Sequence, residues 1–381
     1  MCIAGITRNA HIYPYMTLED LAILFIQGIG SRGAVHLVDH FGSAEEVYAA
    51  PRSALINDAG LRPELAERIV NGDGMHAAEA EVVYCRKHDI RIISATDAEY
   101  PLPLREASDR PHVLFVKGNV DALSMRTLSV VGTREISPSG KDTTNRLVGD
   151  LATAIDDLCI VSGMAYGADG AAHRAALAHG ATTVGVVASV LPEVTPTAHR
   201  ALAEDILRNG GAIVSELHSQ TKQNGALFIA RNRIIAALSM GLLVVESPAT
   251  GGSLSTAEIA DSYGRVVMAV PGRMTDSTSF GTNNLIRCGK ARLILSASDI
   301  IEDLGWVPKS KQQPQTKETE DDTLTPPQRM ILSAFDTAST LDYDELITAT
   351  GLTMGELAME LMELELKGSI RLLPGKRYER V

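Results

Sequence analysis

From Thr127 to Ile294 the chain alternates short apolar runs, several of them β-branched, with intervals long enough to hold a helix. The runs are Thr127–Val131, Leu158–Val161, Thr182–Val187, Ala212–Val214, Leu242–Val245, Val266–Ala269 and Arg292–Ile294, and each has the composition of a buried strand. A helix after every strand returns the chain to the same starting edge, so the strands lie parallel and both sheet faces need cover. The pattern predicts an α/β fold with a Rossmann-like, doubly wound, mostly parallel sheet. Ligands of such sheets collect outside the carboxyl ends of the strands. The residues to read are therefore Gly132-Thr133-Arg134, Ser162-Gly163-Met164-Ala165-Tyr166-Gly167, Ser215-Glu216, Glu246-Ser247 and Pro271-Gly272-Arg273.

These ends are suited to an anion. Arg134 follows a bend with no bulky side chain, Ser162-Gly163 and Gly167 leave backbone open before a helix, and Gly252-Ser253 repeats the device before the helix Leu254–Tyr263. A glycine turn at a helix N-terminus presents free N–H groups to a phosphate. Each glycine alone would be read as turn geometry; several at one sheet edge point to a site. Phe228-Ile229-Ala230-Arg231-Asn232-Arg233 adds two guanidiniums and an amide before the apolar run Ile234–Leu238. The macrodipole already makes a helix start positive, so arginines placed there are expected to meet an anionic ligand. Neither Gly-x-Gly-x-x-Gly after the first strand nor Gly-x-x-x-x-Gly-Lys-Ser/Thr occurs, which excludes the common dinucleotide and P-loop readings. No cofactor, metal site or catalytic group is expected.

The net charge of −12 speaks against nucleic acid until it is resolved by region. Residues 1–125 carry 11 Lys+Arg and 17 Asp+Glu, residues 126–296 carry 15 and 14, and residues 297–381 carry 9 and 16. The middle is thus near neutral between acidic flanks, and phosphate binding depends on the local field. Cys2, Cys85, Cys159 and Cys288 lack any Cys-x-x-Cys or zinc spacing, so they are expected to be reduced core thiols. The start Met1-Cys2-Ile3-Ala4-Gly5 does not have the form of a signal peptide, and no apolar run reaches the ~18 residues of a membrane span. A cytoplasmic location is expected.

The flanks divide further. Residues 1–75 are helical, with Gln27-Gly28-Ile29-Gly30-Ser31 between two apolar helices; the turn fits a DNA-binding helix-hairpin-helix or a sterile-alpha-motif-like packing module. Residues 76–125, with strands at Ile90–Ile93 and Val113–Val116, lead into the main domain, which extends to 305. Polar residues 306–323 read as a linker. Residues 324–381 hold helical patterns at Pro327–Phe335, Tyr343–Ala349 and Met354–Leu366, then a strand at Ile370–Leu373. Helices before a small β-ribbon form a winged helix. Its last helix carries Glu356, Glu360, Glu363 and Glu365, a surface for protein rather than phosphate.

In order and spacing, Val130-Val131-Gly132-Thr133-Arg134, Ser162 to Asp169 with His173, Ser215-Glu216, Phe228, Arg231 to Ala236, Val270-Pro271-Gly272 and Gly281-Thr282-Asn283 resemble the DNA-processing protein A family, also called Smf. The resemblance covers nearly the whole chain. It implies a homodimeric mediator, not an enzyme, that binds incoming single-stranded DNA during natural transformation, protects it and loads RecA. Carried over, Arg134 and Arg231 to Arg233 would grip the strand, and Phe228 would stack on or pack beside a base. The family's basic residue before the phenylalanine and its Tyr-Pro-x-x-Asn element are replaced by Asn224-Gly225 and Val194–Arg200, with Lys222 and Arg200 as substitutes. His173, among alanines and without a nucleophile or metal partner, is expected to be structural.

One enzyme reading competes. Gly251-Gly252-Ser253-Leu254-Ser255-Thr256-Ala257-Glu258 echoes the glycine loop of lysine-decarboxylase-like nucleoside-monophosphate phosphoribohydrolases. Such a hydrolase would need a positioned acid such as Glu246 or Glu258.

Overall fold

The computed structural model describes residues 16–309, 324–335, 340–366, 369–373 and 377–380. The chain forms two compact units, Met1–Ser310 and Lys311–Val381.

The first unit begins with helices α1 (Leu18–Ala22), α2 (Ser31–Phe41), α3 (Ala44–Ala49), α4 (Arg52–Asn57), α5 (Pro63–Val70) and α6 (Met75–Lys87). The α/β region follows with β1 (Arg91–Ser94), α7 (Leu102–Arg105), β2 (Val113–Gly118), β3 (Arg126–Val131), α8 (Pro138–Ala154), β4 (Leu158–Gly163), α9 (Ala168–Ala178), β5 (Thr182–Val186), α10 (Arg200–Arg208) and β6 (Ala212–Ser215). It ends with α11 (Ala226–Leu238), β7 (Gly241–Val244), α12 (Gly252–Ser262), β8 (Val266–Ala269), α13 (Phe280–Arg287), β9 (Arg292–Leu293) and α14 (Ala297–Asp303).

Among the described residues the strands form one sheet in the order β1-β2-β6-β5-β4-β3-β7-β8-β9. Strands β3 to β9 are mutually parallel, as the alternation of runs and helices requires. The order reverses at β3, which pairs with β4 on one side and β7 on the other. The lead-in strands add an antiparallel edge, β2 pairing with β6 and β1 with β2. Alternate strand residues serve opposite faces. Cys159 and Val161 of β4 pack with Ile234–Leu238 of α11 and Ala257 and Ala260 of α12, whereas Leu158 and Ile160 pack with α8, α9 and α14. The small residues of α9 and α12 let those helices lie close on the sheet. The fold is the doubly wound α/β architecture expected from the sequence.

The N-terminal helices have their own core, including Ile23, Leu37, Val47, Leu55 and Ile69, and share a second one with the sheet through Met16, Leu21 and Phe115. Thr17 and Asp20 cap α1 reciprocally, and Ser43 caps α3 above Glu45 and Glu46, which sit where the helix dipole favours anions. The turn at 27–31 leads into contacts with residues 109–112: Ser31 Oγ accepts from His112 N at 3.0 Å and Arg32 pairs with Asp109 at 2.5 Å. Asp39 pairs with Arg110 at 2.6 Å, and buried Asp20 faces His112 at 3.0 Å. These contacts fit the packing-module reading of the helical region.

The expected linker begins later than residue 306. Trp306 packs against the α8/α14 core, and Lys309 Nζ lies 3.2 Å from Asp156 and donates to Ala152 O at 3.3 Å. Residues 310–323 lie outside the described residues. The second unit contains α15 (Pro326–Ala334), β10 (Thr340–Asp342), α16 (Tyr343–Thr350), α17 (Met354–Leu366), β11 (Ile370–Leu373) and β12 (Arg377–Arg380). Its strands pair in the antiparallel order β10-β12-β11, against a core that includes Ile331, Leu346, Leu357, Leu361 and Ile370. Strand β10 has no run of apolar residues and was not expected. On α17, Glu360 and Glu363 both accept from Gln328 Nε2 at 2.8 Å.

Cys85 and Cys159 are buried free thiols, as expected, but Cys288 is exposed at the end of α13. Cys2 lies outside the described residues. Among the described residues no helix is long and apolar enough to cross a membrane, and no group of three or more His, Cys, Asp or Glu could hold a metal ion.

Candidate nucleic-acid interface

Because the strand order reverses at β3, the loops leaving β3 and β7 part from each other and open a crevice. A cavity of about 390 Å3 lies there, walled by Gly132, Thr133 and Arg134 after β3, Arg231 and Asn232 of α11, and Gly252 and Ser253 of α12. Arg134 is exposed and makes no salt bridge among the described residues. It also borders two neighbouring hollows. One, about 450 Å3, holds Phe228, Ile229, Tyr166 and Arg231; the other, about 680 Å3, opens between α8 and α9.

The arginines do not stand at a helix entrance. Helix α11 starts at Ala226, so Arg231 and Arg233 occupy its second turn. Two residues rotate a helix by about 200°, and the side chains part accordingly. Arg231 turns to the sheet edge: its Nη1 donates to Val186 O and its Nε to Asn232 Oδ1 at 3.3 Å. Arg233 turns away from the cavity, with Nη2 2.6 Å from Glu216 and Nε 3.8 Å from Asp109. It is a scaffold arginine, and the expectation that it grips a ligand beside Arg231 is corrected by this pairing.

Arg231 is only 7% exposed, and its charge is balanced by buried Asp169. Burial pushes the Asp169 carboxyl up while Arg231 opposes the shift; burial lowers the Arg231 guanidinium while Asp169 opposes that. Gly163 is where they meet. A Cβ there would overlap Asp169 Oδ2 and lie 2.7 Å from both Arg231 Nη atoms. Gly167 has φ +76°, and a Cβ would run into Thr133 O. These two glycines therefore let α9 and the β3 loop close around the opposed charges of Asp169 and Arg231 rather than touch a ligand themselves.

Some backbone donors are already used. Thr133 N donates to Glu246 O at 2.8 Å, and Thr133 O accepts from Ala168 N at 3.0 Å. The N-terminus of α8, where Rossmann folds hold a dinucleotide phosphate, is filled by protein: Glu246 accepts from Ser137 N at 2.9 Å and Ser137 Oγ at 2.5 Å. The start of α12 remains, with Gly252 and Ser253 on the cavity wall. Helix starts leave their first N–H groups without intrahelical partners. Glu246 thus serves as a cap. Glu258 is exposed and 3.6 Å from Lys290 Nζ. Neither lines the cavity; the acids that do are Glu135 and Asp169.

Other expected residues sit apart. Ser162 is buried with Oγ donating to Val130 O at 2.6 Å. The Asn283 amide clamps Gly272, accepting from its N and donating to its O at 3.0 Å each. Lys222 is exposed and lines none of these hollows. Arg200 pairs with Glu193 at 3.1 Å. His173 is structural, as expected: Nε2 donates to Gly163 O at 2.8 Å and Nδ1 lies 2.7 Å from Thr183 Oγ1. Burial lowers its pKa to about 4. Sequence reasoning missed Asp169 as the counter-charge, although it stands in the quoted motif, and missed Tyr166, 52% exposed beside Arg134.

The family model of DNA recombination-mediator protein A matches residues 91–305, and the DprA winged helix domain matches residues 314–376. The chain is similar to protein Smf of Escherichia coli, 32% identical over 327 residues that span 85% of this chain and 86% of that protein. It is 39% identical over 208 residues to the DNA processing protein DprA of Streptococcus pneumoniae, covering 55% and 72%. The X-ray structure of the DprA from Streptococcus pneumoniae superposes with TM-score 0.66 at 32% identity, covering 75% of this chain and 98% of that one. DNA processing protein A from Helicobacter pylori, whose structure is described for its single-stranded DNA binding mode, gives TM-score 0.50 at 28% identity, covering 56% and 95%. Fold, motif order and the length of these matches together place the chain in the DNA recombination-mediator protein A family.

Proposed function

We propose that the cavity between β3 and β7 binds the phosphate backbone of single-stranded DNA and that the chain acts as a recombination mediator, not as an enzyme. The observation that carries this reading is the exposed, unpaired Arg134 beside Arg231 and the open start of α12, all at the reversal point of the sheet. Some exposed arginines elsewhere in this unit have an acidic partner, such as Arg52 with Glu67 and Arg208 with Asp205, and others, such as Arg62 and Arg146, have none among the described residues. What sets Arg134 apart is its place at the sheet's reversal point, on the wall of the cavity beside Arg231, where a cation is available to an external anion. Phe228, half-buried next to it, supplies an aromatic surface that any base can use. The single-stranded DNA binding of the Helicobacter pylori relative supports the same ligand.

Family membership supports the finer role proposed here: protection of incoming strands during transformation, loading of RecA, action as a homodimer, and a cytoplasmic location. Gel shifts with single- and double-stranded oligonucleotides of equal length test the ligand. Tight single-strand binding and weak duplex binding are expected, with affinity falling with salt at a slope of about −0.7 per phosphate contact. Equal affinity for duplex, or salt-independent binding, contradicts the reading. Strand exchange with RecA on strands coated by a single-strand-binding protein tests the mediator role, which predicts faster RecA filament formation when this protein is added.

A further inference from the structure

The hollow between α8 and α9 adjoins the β3/β7 cavity at Arg134 and Glu135, which border both. Its walls carry Lys141 from α8, Arg174 from α9 and Tyr166 from the loop between β4 and α9. Lys141 and Arg174 are exposed and, like Arg134, have no salt bridge among the described residues. Two acids, Glu135 and Asp142, also line the hollow. Three cations against two acids leave it weakly positive, a surface that can follow one strand without attracting polyanions indiscriminately. Tyr166 stands where this hollow meets the one that holds Phe228. Its ring rests edge-on against His199, centroids 5.2 Å apart and planes at 64°. His199 is itself buried and donates from Nδ1 to Met164 O at 2.8 Å. The aromatic ring is therefore held on a fixed support, with 52% of the residue open to solvent.

We propose that a single strand held in the β3/β7 cavity continues over Arg134 into the α8/α9 hollow, where Tyr166 stacks on a base and Lys141 and Arg174 hold the adjoining phosphates. The proposal rests on the reading of the β3/β7 cavity as a single-strand site and extends its footprint. An exposed aromatic among exposed cations is the arrangement by which sequence-tolerant proteins hold single strands, phosphates on the cations and base faces on the ring. A duplex has its bases stacked on one another and offers no free face to the ring.

The test is fluorescence anisotropy with end-labelled oligothymidylates of about 4 and about 16 nucleotides, lengths spanning typical single-strand site sizes, on the full chain. The variants are Lys141→Ala with Arg174→Ala, Tyr166→Ala, Tyr166→Phe and Arg134→Ala. All four positions are exposed, and a melting scan of each variant establishes that it is folded. The double variant is expected to flatten the salt slope for the long strand by about 1.4, two contacts' worth, and to leave the short strand unaffected. Tyr166→Ala is expected to weaken the long strand by about 5- to 140-fold, with Tyr166→Phe restoring it. Wild-type affinity and slope in both the double variant and Tyr166→Ala, while Arg134→Ala loses binding, would overturn the extension and leave the central site standing. Failure of the wild type to bind either oligonucleotide would remove the central site, and the extension with it.

Discussion

Arg231 and Arg233 lie two positions apart on one helix, yet the rotation between them assigns one to the cavity and the other to the scaffold. Arg233→Ala leaves Glu216 buried without its cation. The expected cost is about 3–5 kcal/mol in urea unfolding, with single-strand affinity of the folded protein unchanged; lost affinity at full stability would put Arg233 in the site. His173 gives a pH test. Its folded pKa is lowered to about 4 from 6.5, so the unfolded chain binds the proton first as pH falls. Its contribution is complete above pH 6.5 and is lost progressively toward pH 4. Between pH 7 and pH 5 that amounts to about 2 kcal/mol. Unfolding of the wild type and His173→Gln at the two pH values should show a smaller pH dependence in the variant; equal dependence would mean that His173 does not titrate this way.

At the scale of elements, two helix starts near the cavity have different fates. That of α8 is occupied by Ser137 and Glu246, and that of α12 opens on the cavity. Ser137→Ala should cost about 1 kcal/mol through loss of the cap and leave DNA binding intact, read by a melting scan beside a gel shift. A binding loss with no change in melting would make the α8 start a ligand site. The core strands were legible in the sequence because each is an apolar run of strand length, and the residues closing β3 and opening α12 followed from strand ends alone. The start of α11 was not legible: Ala226, Leu227 and Ile229 differ little from loop residues that pack, and the apolar run begins only at Ile234. The partners of Arg231 and Arg233 were hidden for another reason. Glu216, the nearer partner of Arg233, lies only 17 positions upstream, but Asp169 and Asp109 lie 62 and 124 positions upstream of Arg231 and Arg233, and only the folded sheet brings them together.

At the scale of the molecule, the net charge of −12 conceals a near-neutral α/β region that holds the unpaired cations. The second unit contributes acids, including Glu360 and Glu363 on α17. Removal of residues after Ser310 should therefore retain single-strand binding, and this boundary keeps Trp306 and Lys309 with the core they touch. A folded truncation that no longer binds in a gel shift would move the site to the second unit. Truncation after Gly305 removes the Trp306 packing and would mix stability with binding. The central claim is that Arg134 meets a phosphate of the strand. The most direct measurement is a salt titration of single-strand affinity for the wild type and Arg134→Ala, each with its melting curve. The account predicts weaker binding, a slope reduced by about 0.7 and unchanged melting; unchanged affinity and slope in the variant would contradict it.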